Sequence, residues 1–131
     1  MRSPLIDIAY RDPMTIAELI QHIRSTPNTV DFQHVIATIN SHYEYQPTRF
    51  HNGVGTDRID NAAGANEGSC RVFAFAQLHQ LSEAETLACF GQFYRDVAST
   101  PDGSDHANIR MFLRHGWAGI NFDAMPLTAK T

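Results

Sequence analysis

Cysteine is scarce in this chain: Cys70 and Cys89 are the only two, and neither CxxC spacing nor a paired framework relates them. A disulfide scaffold is excluded, and a reducing compartment suits both thiols. Charge is thin as well. Charged residues are 18% of the 131 and the formal net charge is -4, so the broad basic field that phosphate backbones require is absent and nucleic acid is not an expected partner. No apolar run approaches the roughly 18 residues of a membrane span, and the first ten residues lack the apolar stretch and cleavage site of a secretory signal. A soluble chain made in the cytoplasm is expected. There is no P-loop, no Rossmann fingerprint, no HxxxH, HExxH or EF-hand spacing, and no internal repeat. Neither cofactor nor metal is therefore expected, and Asp57, Asp60, Asp102 and Asp105 read as caps and turn residues.

What the chain does have is a loop of glycine and asparagine running into its most apolar stretch. Four of the eight glycines, Gly53, Gly55, Gly64 and Gly68, precede Val72-Phe-Ala-Phe-Ala76. Both residue types reach positive φ at low cost, which suits a defined backbone path. From about Ser69 to Leu81 the pattern predicts a helix that is apolar nearly all round and covered on most sides.

The remaining elements follow from caps and periodicity. Asp12-Pro13 predicts a helix start with Ile16, Leu19, Ile20 and Ile23 on one face, ended by Pro27. Asp31 caps a second helix, with Val30 and Val35 as a hydrophobic staple and Phe32, Val35, Ile36, Ile39 and Tyr43 as its stripe. Residues 43–50 predict one short edge strand, closed by a turn at His51-Asn-Gly53. Ser82-Glu-Ala-Glu85 is a capping box for a helix through Leu87, Phe90, Tyr94 and Val97, with Gly91 marking a close helix crossing. Ser104 or Asp105 caps a fifth helix, with Ile109, Phe112 and Leu113 inward and Gly116 as its end. Residues 117–122 predict a strand that pairs near Thr48 to Phe50, residues 1–11 an arm, and residues 123–131 a loose tail. The expected class is α+β, mainly α-helical, with about five helices and a small two- to three-stranded sheet, in one domain over 1–131.

Two kinds of site are legible. If the central helix begins near Ser69, its first-turn N–H groups and positive dipole end lie beside Cys70 and Arg71. A small anionic ligand would then be held by Asn61, Asn66, Gly68, Ser69 and the Arg71 guanidinium, with Arg110 contributing from the 105–110 turn. The competing reading is that the asparagines and glycines only satisfy their own turns. The second kind is catalytic: Asn66-Glu-Gly-Ser-Cys70 followed by Phe73 resembles the nucleophile stretch of papain-like cysteine proteases. Cys70 would be the nucleophile, His106 the base, and Asn108 or Asp105 the group that orients it, as in a hydrolase or transferase. Against it stands the plain alternative that Cys70 is an ordinary core residue.

Taken together, Phe50-His-Asn-Gly53, Asn61 to Arg71, Leu81-Ser82 through Thr86-Leu-Ala-Cys-Phe-Gly91, Tyr94-Arg95, His106-Ala-Asn-Ile-Arg110 and Gly116-Trp117-Ala-Gly-Ile120 resemble the HopJ family over roughly residues 14 to 122. The resemblance implies a type III secretion effector of bacterial origin and brings no catalytic or binding residue with it. Two locations follow as expectations, the bacterial cytoplasm and a host cell reached by type III secretion. The expected activity is a non-enzymatic one, binding a protein partner or a small anionic ligand through the 61–71 loop.

Overall fold

Six α-helices and five short strands succeed one another along residues 13–130, the part of the chain described by the computed structural model. The expected arm at residues 1–11 and the Asp12 cap lie outside the described residues. The first helix, α1 (Ile16–Ser25), begins later than Pro13 suggests because Thr15 caps it: its hydroxyl accepts from the Glu18 N–H, and the Glu18 carboxylate accepts from Thr15. That reciprocal pair satisfies two first-turn donors at once. Helix α2 (Phe32–His42) starts where Asp31 predicts, its carboxylate accepting from the His34 N–H at 3.1 Å, with Val30 and Val35 both buried.

The central helix α3 (Glu67–Leu78) begins two positions ahead of Ser69 and buries Cys70, Val72, Phe73, Ala74, Phe75 and Ala76. Phe73 is the hub of the core. Its ring lies 6.0 Å from Phe50, 5.3 Å from Phe90, 5.0 Å from Phe112 and 6.5 Å from Trp117. Trp117 closes one side of this cluster and donates from its indole N–H to the Leu81 carbonyl.

The capping box at Ser82 is present, but the helix it opens is shorter than expected. Helix α4 (Glu83–Ala88) stops, and α5 (Gln92–Ser99) resumes beyond Gly91, whose φ is +57°. The close crossing expected from this glycine is real: a Cβ there would meet the Phe32 N and Val30 O atoms at 2.7 Å. The backbone of the α2 entrance therefore occupies the space a side chain would need, and the chain turns at that point instead of continuing as helix. Helix α6 (Ala107–His115) ends at Gly116 as predicted and buries Ile109 and Phe112, whereas Leu113 stands 48% exposed on its outer face.

The strands correct three expectations. Residues 43–50 are not one edge strand: β1 (Tyr43–Tyr45) and β2 (Phe50–Asn52) belong to different sheets, with Pro47 in the connection where its missing N–H costs nothing. His51 and Asn52 are strand residues and not a turn. β2 lies in the middle of a three-stranded antiparallel sheet between β3 (Ile59–Asn61) and β4 (Asn121–Phe122), with Phe50 opposite Asn61 on one side and Phe122 on the other. The pairing of β4 near Phe50 is as predicted. The tail is not loose: β5 (Leu127–Ala129) pairs with β1, Tyr45 opposite Leu127, and Leu127 is buried. The class is α+β and mainly helical. Among the described residues no helix is long and apolar enough to cross a membrane.

Gly91→Ala combines an unfavourable positive φ with a backbone collision, so it is expected to cost about 2–4 kcal/mol of stability. Urea denaturation of the variant measures this, and a midpoint unchanged from the parent would refute the close approach.

Candidate functional site

Two helices begin at one place. The residue before α3, Asn66, has φ 52° and ψ 48°, and the residue before α6, His106, has φ 53° and ψ 52°. A helix N-cap is ordinarily extended, with a side-chain oxygen on a first-turn N–H. Here both are left-handed, a conformation that costs an L-residue about 1–2 kcal/mol, and neither helix has a side-chain cap. The expected cap Asp105 is engaged elsewhere. Its carboxylate accepts from Arg110 Nη2 at 2.6 Å, and that bond, with the guanidinium charge, holds its pKa below the ordinary carboxylate value. The first-turn donors of both helices thus have no side-chain cap as acceptor.

Three buried asparagines bring these starts together. Asn52 on β2 donates from Nδ2 to both the carbonyl and Oδ1 of Asn108, each at 2.9 Å. Asn61 on β3 and Asn108 on α6 exchange side-chain amide bonds at 3.2 and 3.0 Å. Asn66 then donates to Asn61 Oδ1 at 2.7 Å, which ties the entry of α3 into the same network. Buried amides that lose a partner cost about 1–3 kcal/mol each, so this network holds the hairpin and both helix starts in one arrangement.

Between the two starts lies a cavity of about 210 Å³ lined by Phe32, Ile59, Asn66, Ser69, Phe90, Phe93, His106, Ala107, Asn108 and Ile109. Its apolar wall is mostly aromatic. Phe32 meets Phe93 edge to face at 5.1 Å, and the His106 ring lies 5.3 Å from that of Phe93. Its polar lining residues are Asn66, Ser69, His106 and Asn108, which lie at or just inside the two helix starts. A larger depression of about 750 Å³ follows α1 and is lined by none of the candidate residues.

The structure divides the candidates read from sequence. Asn66, Ser69, His106 and Asn108 line the cavity. Asn61 supports it from behind, 1% exposed. Gly68 contributes by having no side chain, since a Cβ would come within 2.8 Å of the Phe32 ring. Arg71 points elsewhere: its guanidinium lies 3.8 Å over the Tyr45 ring and donates to Asn40 Oδ1. Arg110 is spent on Asp105 and on Thr100, outside the cavity. The residues that sequence reasoning missed are Phe32 and Phe90, which read as core stripe, Phe93, which drew no reading, and Asn52, which read as a turn. A polar asparagine beside Phe50 in an otherwise strand-forming run was the available signal.

Cys70 is the fourth residue of α3 and is 1% exposed. Burial pushes its thiol pKa up, and this outweighs the hydrogen bond to Tyr45 and the nearby Arg71, both of which act the other way. The sulfur lies 3.7 Å from the Thr48 oxygen, and Cys70 is not among the residues lining the cavity that His106 faces. Cys89 is fully buried too, its pKa pushed up to about 12. A catalytic cysteine needs thiolate character and access, and this environment supplies neither. Among the described residues no cluster of His, Cys, Asp or Glu could hold a metal ion.

A family model described as HopJ type III effector protein matches residues 16–127. Among solved structures, the crystal structure of VPA0580, a protein described as of unknown function, superposes with a TM-score of 0.84 at 40% identity, covering 92% of this chain and 98% of that one. No curated protein matches the chain.

Two outcomes test this geometry. If His106 is left-handed, His106→Gly will be more stable than His106→Ala by about 1 kcal/mol, because only the alanine keeps the Cβ penalty; equal stabilities in urea would contradict it. The native thiols should resist iodoacetamide at pH 8 and react fully once the chain is unfolded. Rapid native alkylation of Cys70, mapped by mass spectrometry, would restore the cysteine reading.

Proposed function

This chain belongs to the HopJ family, and from that premise we propose that it is a non-enzymatic binding domain, holding a small anionic ligand between the first turns of α3 and α6. The observation that carries the proposal is the pair of left-handed, uncapped helix starts opening on one cavity. A helix start without a cap leaves N–H donors and the positive end of the dipole directed outward, the arrangement that anions use. Backbone held in a costly conformation persists where the surrounding structure over-determines it, and the asparagine network supplies that restraint. Sequestered Cys70 leaves the hydrolase or transferase alternative without an accessible nucleophile.

The family's description as type III effectors supports action inside a host cell after secretion, with the bacterial cytoplasm as the place of synthesis. The ligand in this reading is recognised by donors, with no bond made or broken. No lysine or arginine lines the cavity, so recognition falls to backbone N–H groups, the Ser69 hydroxyl, and the side chains of Asn66, His106 and Asn108.

Ala107 provides the test because it is exposed and is the first residue of α6. A glutamate there complements the dipole by about 0.3–1 kcal/mol and leaves the fold intact, while its carboxylate competes for the anion position. In amide chemical-shift titrations with acetate, benzoate and inorganic phosphate, at least one anion should move the Ser69, Ala107 and Asn108 signals to saturation. Ala107→Glu should abolish that response without lowering Tm. Failure of every anion to move these signals, or unaltered binding by the variant, would overturn the proposal.

A further inference from the structure

We propose that the chain carries a self-modifying site at Asp102-Gly103, where spontaneous isomerisation to isoaspartate alters the loop that leads into α6. It is independent of the anion reading of the cavity. Two dipeptides place a side-chain carbonyl carbon one residue before a glycine, whose nitrogen closes a five-membered ring with least hindrance: Asn52-Gly53 and Asp102-Gly103. In an open chain the asparagine reacts faster, because expelling ammonia does not require a carboxylate to be protonated first.

The fold reverses that order. Asn52 is fully buried, its Nδ2 donates to the carbonyl and Oδ1 of Asn108, and Gly53 N donates to the Gly119 carbonyl at 3.0 Å. The side chain is held against α6, so ring closure awaits a local opening that few molecules populate. Asp102 and Gly103 are both exposed, in a turn closed by Gly103 N donating to Thr100 O at 2.9 Å. The Asp102 carboxylate makes no hydrogen bond or ion pair among the described residues.

Packing also keeps the nucleophile in place. A Cβ at residue 103 would lie 2.7 Å from Arg110 Nη2 and 3.2 Å from the Thr100 carbonyl oxygen. That guanidinium is not free to withdraw, since it donates to the carbonyl and hydroxyl of Thr100 and to the carbonyl and carboxylate of Asp105. Glycine is therefore required after Asp102 by the same contacts that build the loop.

The chemistry balances with water alone. Gly103 N bonds to Asp102 Cγ and loses its proton, the carboxyl group loses its hydroxyl, and one water departs to leave a cyclic imide. Water then adds to one of the two ring carbonyls. Cleavage of the Cγ–N bond restores aspartate, whereas cleavage between the nitrogen and the main-chain carbonyl carbon leaves the chain running through Cβ and Cγ beside a free α-carboxylate. Mass is unchanged, but the main chain is one atom longer where Gly103 meets Arg110. Because Arg110 joins Thr100 to Asp105, the lengthened turn pulls on the residue just before the His106 start of α6.

The test ages the full chain at pH 7.4 and 37 °C, folded and in guanidinium chloride, and maps it by proteolysis, mass spectrometry and an isoaspartate-specific methyltransferase. In the folded chain isoaspartate at residue 102 should exceed deamidation of Asn52 by at least about tenfold, and in guanidinium chloride Asn52 should overtake it. The amide signals of Thr100, Asp105 and Arg110 should move as the folded chain ages. Asp102→Glu, which would need a six-membered ring and disturbs no contact, should show neither change. Asp102 remaining unmodified in the folded chain, or Asn52 reacting there as fast, would overturn the site. Isoaspartate at 102 with those three signals unmoved, or the same movement in Asp102→Glu, would overturn its coupling to the loop.

Discussion

The arrangement depends on Phe73. One fully buried ring on the central helix touches rings from the middle strand, the link between α4 and α5, α6 and the turn after it, so four separate parts of the chain are positioned by the same side chain. Close-packed aromatic cores tolerate little displacement, because each ring gains a large buried area only in a narrow range of offsets. With Phe73 in place, α3 and α6 converge at their N-terminal ends. The cavity is the space left between those ends.

The polar counterpart is the asparagine network. Asn52, Asn61 and Asn108 are buried side by side, from two strands and a helix, and Asn66 extends them to the start of α3. An apolar trio in these positions would bury as much surface, but it would leave the helix starts free to slide against the hairpin. Directional bonds between amides remove that freedom. The aromatic cluster supplies most of the stabilisation and the asparagines supply the register, and together they maintain two helix starts whose backbone is locally unfavourable.

Much of the fold was legible because its signals are local. Asp31, Ser82 and Gly116 act on donors or carbonyls within a few residues of themselves, so the starts of α2 and α4 and the end of α6 follow from chemistry within a single turn. The strands were less legible because their partners are remote: Tyr43 lies opposite Ala129, and nothing near Leu127 announces that its partner is Tyr45. The break at Gly91 was half legible. Glycine signalled a close approach, but only the position of the α2 entrance shows that the approach also interrupts the helix.

By itself the sequence determined that a polar glycine and asparagine loop leads into the most buried helix, that the chain is mainly helical with a little sheet, and to which family it belongs. Those properties are carried by composition, by caps and by ordered words along the chain. Tertiary structure alone decided that Asn66 meets Asn61 and Asn108, that Arg71 and Arg110 turn away while Phe32 and Phe93 turn in, and that Cys70 is sealed off. The reason is distance along the chain. A site made where residue 61 touches residue 108 is created by packing, and no local pattern in either segment records the other.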